Sequence, residues 1–168
     1  MKMTYRSIND IAADVRANLK AEFPNHKFSV TIEKYSGGQS LNVALMSGPE
    51  SPLDTNPLNV DYHGNPLNVD YHGNPRHHAQ LNHYPIRRDQ RSGGTDYLGN
   101  SLPDFYNNGV VLTESAWDML RRVDEIANAE NWDRSDRQSD YFDVNYYFHL
   151  RIGKWNKPFV VTPQKGGK

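Results

Sequence analysis

Apolar residues recur at helical spacing in the first structured stretch of the chain. Ile8, Ile11, Ala12, Val15 and Leu19 fall on one side, with Phe23 one turn further, and Asp14, Arg16, Lys20 and Glu22 fall on the other. That is an amphipathic helix. Ser7 and Asp10 form a capping box with Asp in place of the usual Glu or Gln, and Pro24-Asn25 stops it, so the spacing predicts a helix over 7–23. The period then changes to two. Phe28, Val30 and Ile32 point one way, and Ser29, Thr31 and Glu33 the other, which predicts a half-buried strand over 27–35. Ser36-Gly37-Gly38-Gln39 reads as a turn, and Leu41, Val43 and Leu45 alternate again within a strand over 41–46. The two strands make a hairpin packed by the helix.

From Ser47 to Gly109 the periodicity dissolves. Seven of the ten prolines and five of the seven histidines fall here. The stretch contains a tandem repeat: Asn56-Pro57-Leu58-Asn59-Val60-Asp61-Tyr62-His63-Gly64 is followed by an identical copy, Asn65 to Gly73, and a third begins at Asn74-Pro75 and breaks off. A surface loop absorbs nine extra residues more readily than a core segment does. The expectation is an insertion over 47–109, partly ordered at best, from which one copy can be deleted without loss of stability.

Periodicity returns at Val110. Thr113 precedes a second helical pattern over 114–131, with Ala116, Trp117, Leu120, Val123 and Ala127 as its buried stripe. Residues 141–152 alternate strongly, with Val144, Tyr146, Phe148, Leu150 and Ile152 on one face and Asn145, Tyr147, His149 and Arg151 on the other. Gly153 interrupts, residues 154–158 read as a turn, and Phe159-Val160-Val161 is a short apolar end. The expected fold class is α+β: an antiparallel sheet of three to four strands with two helices on one face and a long inserted loop. One domain over 5–162 is expected, with 163–168 as a disordered tail.

Composition narrows the chemistry. The 168 residues hold no cysteine, which excludes disulfides, cysteine nucleophiles and cysteine-based zinc sites. The formal charge is −1, so no global charge draws the chain to nucleic acid or membrane. Charge is segregated, however: residues 114–143 hold nine acids against four arginines, and 151–168 hold five basic residues and no acid. No apolar run reaches the roughly 20 residues that span a bilayer, and the first residues show no apolar signal-peptide core. A soluble, cytoplasmic protein is expected.

No constellation of catalytic residues stands out. His63, His72, His77, His78 and His83 cluster, but without the spacing of a metal site and without a cysteine partner. The offset between His63 and His72 is the repeat itself. Asp133, Asp136, Asp140 and Asp143 precede and enter a strand, where acids usually serve turns. Arg76, Arg87, Arg88 and Arg91 make a basic segment that reads as a solvated loop. Gly37-Gly38 suits a hairpin turn, since no Lys-Ser or Lys-Thr follows as in a phosphate-binding loop. Tyr147, His149 and Arg151 interleave aromatic and basic side chains on one strand face, a pattern that can stack bases. Neither a cofactor nor a metal is called for.

Three segments read together: Phe23-Pro24-Asn25-His26-Lys27-Phe28-Ser29-Val30, Tyr35-Ser36-Gly37-Gly38-Gln39-Ser40, and Asp140-Tyr141-Phe142-Asp143-Val144-Asn145-Tyr146-Tyr147-Phe148 running into Ile152-Gly153-Lys154-Trp155. In this order they resemble one of the large polyvalent protein-associated domains, modules of phages, plasmids and integrative elements. The resemblance covers residues 7–46 and 110–160, with no counterpart for the insertion. It implies a mobile-element setting in which such modules accompany anti-restriction or other counter-defence functions. It brings no established active site.

The function expected is therefore a small non-enzymatic binding module acting on a host or element protein, with inhibition of a host defence system as its sharpest form. The alternatives are a nucleic-acid-binding accessory domain and a metal-dependent enzyme using His and Asp. The candidate binding residues are Tyr35, Ser36, Gly37, Gly38, Asp140, Tyr141, Asp143, Tyr147, His149 and Arg151. The turn and the acids from Asp140 to Asp143 are expected to meet at one surface.

Overall fold

The structure, a computed structural model, describes residues 6–54, 56, 59–60, 63–69, 72, 74, 76, 78–133, 135–136, 138 and 144–162. The first helix, α1, runs Ile8–Glu22. Ser7 caps it by accepting from the Asp10 N–H at 3.1 Å, and the apolar stripe from Ile8 to Leu19 is buried. Phe23 ends it, and β1 (Lys27–Tyr35) turns directly into β2 (Gly38–Gly48). Their antiparallel register pairs Tyr35 with Gly38 and Val30 with Val43. Gly37, at φ +90° in the loop between them, occupies a backbone region that other residues adopt only with strain.

The remaining elements are β3 (Ala79–Leu81), α2 (His83–Arg87), β4 (Tyr106–Asn107), β5 (Val110–Val111), α3 (Glu114–Ala127), β6 (Tyr147–Ile152) and β7 (Val160–Val161). The fold is α+β, as its periodicities predict. The sheet order is β1-β2-β6-β3, with β7 also pairing β2. It is mixed, where the sequence pattern suggests a wholly antiparallel sheet: β2 and β6 run parallel, with Leu41 beside Phe148 and Leu45 beside Ile152. The physical reason is the connection. Antiparallel neighbours are joined by tight turns, whereas β2 and β6 are joined by a long crossover carrying α2 and α3. The strand expected over 141–152 is regular only from Tyr147; residues 139–143 lie outside the described residues. After Ile152 the chain leaves the sheet at Gly153, whose N–H still donates to the Leu45 carbonyl, loops out, and returns as β7 beside the end of β2. The expected tail, 163–168, lies outside the described residues.

The stretch expected as an inserted loop supplies working parts of the fold. β3 pairs antiparallel with β6 and places Leu81 beside Leu150. Ile86 of α2 is fully buried. Leu53 bridges Leu112, and Asn68 in the second nonapeptide is 4% exposed. The Asn68 amide donates to the carbonyls of Asp54 and Val111 and accepts from the Val111 N–H at 2.7 Å. A buried amide with every group engaged acts as a substitute ladder partner for β5.

The core lies on one face of the sheet. Leu41, Val43 and Leu45 of β2, and Phe148, Leu150 and Ile152 of β6, meet α1 residues and Trp117, Leu120 and Val123 of α3. Each large side chain fully removed from water contributes roughly 1.5–3 kcal/mol. Tyr146 is buried at the start of this face and donates its hydroxyl to the Ala127 carbonyl at the end of α3. Burial of the phenol pushes its pKa up. Among the described residues no helix is long and apolar enough to cross a membrane.

Candidate functional site

Both long helices pack on one side of the sheet, so the other side carries the outward residues of three adjacent strands. Register sets their neighbours. Tyr35 pairs with Gly38; Glu33, Ser40 and Tyr147 form the next row; Thr31, Asn42 and His149 follow; Ser29, Ala44 and Arg151 close the series, with Gln80 of β3 beside Arg151. A pocket of about 260 Å³ opens on this face, lined by Ser29, Thr31, Glu33, Asn42, His149, Arg151 and Lys154.

One end of the face is aromatic. Tyr35 and Tyr147 are 48% and 42% exposed. Their rings flank Gly38: a methyl there would stand 3.2 Å from Cε2 of Tyr35 and 3.3 Å from Cε2 of Tyr147. Glycine at 38 therefore sets how closely the two rings approach. Gln39 pins this end by donating its side-chain amide to the Asn145 carbonyl at 2.8 Å, which ties the hairpin turn to the entry of β6.

The other end is basic. Lys154 donates to the Ser29 hydroxyl at 2.9 Å. Arg16, Arg87, Arg91 and Arg122 all meet carboxylates or carbonyls. Among the described residues the guanidinium of Arg151 has no such hydrogen bond or ion pair. Between the two ends lies His149. Burial is the main cause that lowers its pKa, with Arg151 and His83 adding to it and Glu33 opposing. It is therefore held neutral near pH 7.

Of the sequence-derived candidates, Tyr35, Gly38, Tyr147, His149 and Arg151 share this face. Ser36 and Gly37 lie in the exposed turn at its aromatic end. Asp140, Tyr141 and Asp143 lie outside the described residues, so their expected meeting with the turn is not part of the described geometry. Ser29, Thr31, Glu33, Asn42 and Lys154 were not singled out from the sequence. The alternation of β1 does place Ser29, Thr31 and Glu33 away from the core, but the pairing that brings β6 alongside is not a local signal.

A second polar cluster lies on the helix side. Asp124 of α3 is 2% exposed and accepts from Arg87 Nε at 2.8 Å. Arg87 Nη2 lies 3.2 Å from His83 Nδ1, which lies 3.4 Å from Asp124 Oδ2. An arginine N–H only donates, so Nδ1 accepts from Arg87 and the carboxylate contact is secondary. The His83 ring meets Phe148 edge-on at 5.1 Å. With its charge taken by Arg87, Asp124 acts as a fastening between α2 and α3. Among the described residues no group of three His, Cys, Asp or Glu side chains is placed to hold a metal ion.

Residues 6–99, more than half of the chain, match the family model described as large polyvalent protein associated domain 29. The chain belongs to this family. The bounds of the match to domain 29 take in residues 47–99, for which the resemblance offers no counterpart, and end ahead of residues 110–160. That agrees with the packing: β3 and α2, which lie inside the match, are built into the sheet and the core. Domain 29 is a mobile-element-associated family. No curated protein and no solved structure matches the chain.

Proposed function

We propose that this member of the domain 29 family is a non-enzymatic binding module of a mobile genetic element that engages its partner through the open face of the sheet. The observation that carries this reading is the asymmetry of the sheet. One face is filled by helices, and the other presents two half-exposed tyrosines and two cations without carboxylate partners among the described residues, around a polar pocket. Exposed aromatic and arginine side chains gathered at one place are typical of recognition surfaces. The inhibition of a host defence system is the sharpest form of this function, and the cytoplasm its place of action.

Amine labelling tests it. In lysate of the element's host, Lys154 is protected from acylation relative to buffer, while Lys20 on the exposed side of α1 labels equally in both. Equal labelling of Lys154 in both media overturns the reading. For the counter-defence form, loss of the chain lowers establishment of the element in hosts carrying the targeted defence system and leaves other hosts unaffected.

A further inference from the structure

Resting on that reading, we infer that the occupant of the open face is a single strand of nucleic acid, its bases stacked on Tyr35 and Tyr147 and its phosphates held at Arg151 and Lys154. Charge complementarity selects this partner. Almost all described arginines already satisfy a carboxylate, a carbonyl or a ring. Among the described residues Arg151 keeps an unspent fork of donors in a polar pocket, beside an ammonium that donates to a neutral hydroxyl. The guanidinium fork matches phosphate oxygens. The run from Arg151 onward adds further basic residues and no acid. Tyrosine rings on a sheet give bases a sequence-tolerant platform, and bases in a duplex do not offer their faces to it.

The spacing selects a strand over a free nucleotide. Tyr147 and Arg151 lie four residues apart on β6, about 13 Å at roughly 3.3 Å per residue. The stacking end and the phosphate end therefore serve different nucleotides of one chain. Glu33 sits in the row of Tyr147, two rows from Arg151. It lines the same pocket as Arg151 and Lys154 and, from the row of Tyr147, can accept from exocyclic amino groups.

Fluorescence anisotropy of the full chain with a labelled oligonucleotide of about 12 nucleotides, single-stranded or as a duplex, decides the matter. The single strand binds more tightly than the duplex, a mononucleotide competes poorly, and affinity falls as salt rises from about 50 to 200 mM. Tyr147→Ala weakens binding on the order of tenfold. Arg151→Gln weakens it and lowers the salt slope by about one. Tyr97→Ala, at an exposed tyrosine off this face, leaves binding unchanged, and melting curves confirm that each variant folds. Absence of salt-dependent binding, or equal affinity for duplex and single strand, overturns the inference. Nuclease treatment separates it from the broader reading. Protection of Lys154 in lysate disappears with nuclease if the occupant is nucleic acid. If protection survives, the occupant is a protein: this inference falls and the open-face reading stands.

Discussion

Arg87 of α2 meets Asp124 of α3 at 2.8 Å, and the two ends of this ion pair differ sharply in their access to water: the carboxylate side chain is 2% exposed and the arginine 42%. That asymmetry predicts unequal costs. Arg87→Leu leaves the buried carboxylate only the His83 ring nitrogen at 3.4 Å and destabilises by about 3 kcal/mol, the low end for breaking a buried pair from one side. Asp124→Leu leaves an arginine that can turn to solvent, and costs distinctly less. Urea denaturation of both variants measures the difference, and equal losses would show that solvent access does not govern the pair.

The second prediction concerns the tandem nonapeptide. Asn59 and Asn68 are the same position in identical copies, yet Asn68 is fully hydrogen-bonded against Val111 while Nδ2 of Asn59 is buried with no hydrogen-bond partner among the described residues. Asn68→Ala takes the partner from the buried Val111 N–H, while the Val111 carbonyl keeps the Asp54 N–H, and costs about 1–3 kcal/mol. Asn59→Ala is near neutral. The copies also share a backbone bond, from the Leu67 N–H to the Asn59 carbonyl and from the Arg76 N–H to the Asn68 carbonyl, both 2.8 Å. Deleting residues 65–73 therefore leaves one asparagine able to fill the socket at Val111, and the melting temperature stays close to that of the full chain. Adding Asn59→Ala to the deletion uncovers the loss that Asn68→Ala causes in the full chain. A deletion that unfolds the protein would show that the copies are not interchangeable.

These asparagines mark where local pattern stops informing. Ile8 to Leu19, Phe28 to Ile32 and Phe148 to Ile152 carry periodicities strong enough to name element and inward face; those of α1 and β6 are buried, and on β1 Val30 is buried with Phe28 and Ile32 half-buried against the same core. The parallel pairing of β2 with β6 and the docking of β3 carry no local signal, because both depend on a crossover of many residues. Asn68 and Ile86 lie in sequence that looks like loop, since single anchors leave no period. The candidate face divides in the same way. Tyr147, His149 and Arg151 were legible on one strand. Their juxtaposition with Tyr35 and Gly38 follows from register, and Lys154 joins them from the loop after β6 through its bond to Ser29.

Stability falls on mild acidification. Burial is the first cause that lowers the pKa of His26, opposed by Glu50, and also of His149. A folded-state value below the unfolded value of about 6.5 means that the unfolded chain binds protons more readily. The full stability is present above the unfolded pKa and is lost as pH falls from about 6.5 through the lower folded values. Urea midpoints at about pH 7.5 and pH 5.5 report the loss, and His149→Gln reduces it. A midpoint that rises on acidification, or a His149→Gln protein with an unaltered pH response, contradicts this account.

Gly38→Ala separates the geometry of the open face from the stability of the fold. The glycine is not in the left-handed region, so alanine fits its backbone, and replacing a strand glycine recovers roughly 0.5–1 kcal/mol of conformational entropy. The new methyl instead meets the edges of Tyr35 and Tyr147 at 3.2 and 3.3 Å, closer than carbon atoms pack without yielding. Both rings are half-exposed and free to swing outward, so the strain is relieved by parting them while the core on the opposite face is untouched. The expected outcome is an unchanged or slightly higher melting temperature, with altered ring resonances for Tyr35 and Tyr147 in NMR spectra and weakened binding at the open face. Weakened binding together with a large loss of stability would place the effect in the β1–β2 hairpin itself. Unchanged binding with parted rings would show that the tyrosine pair does not act as one platform.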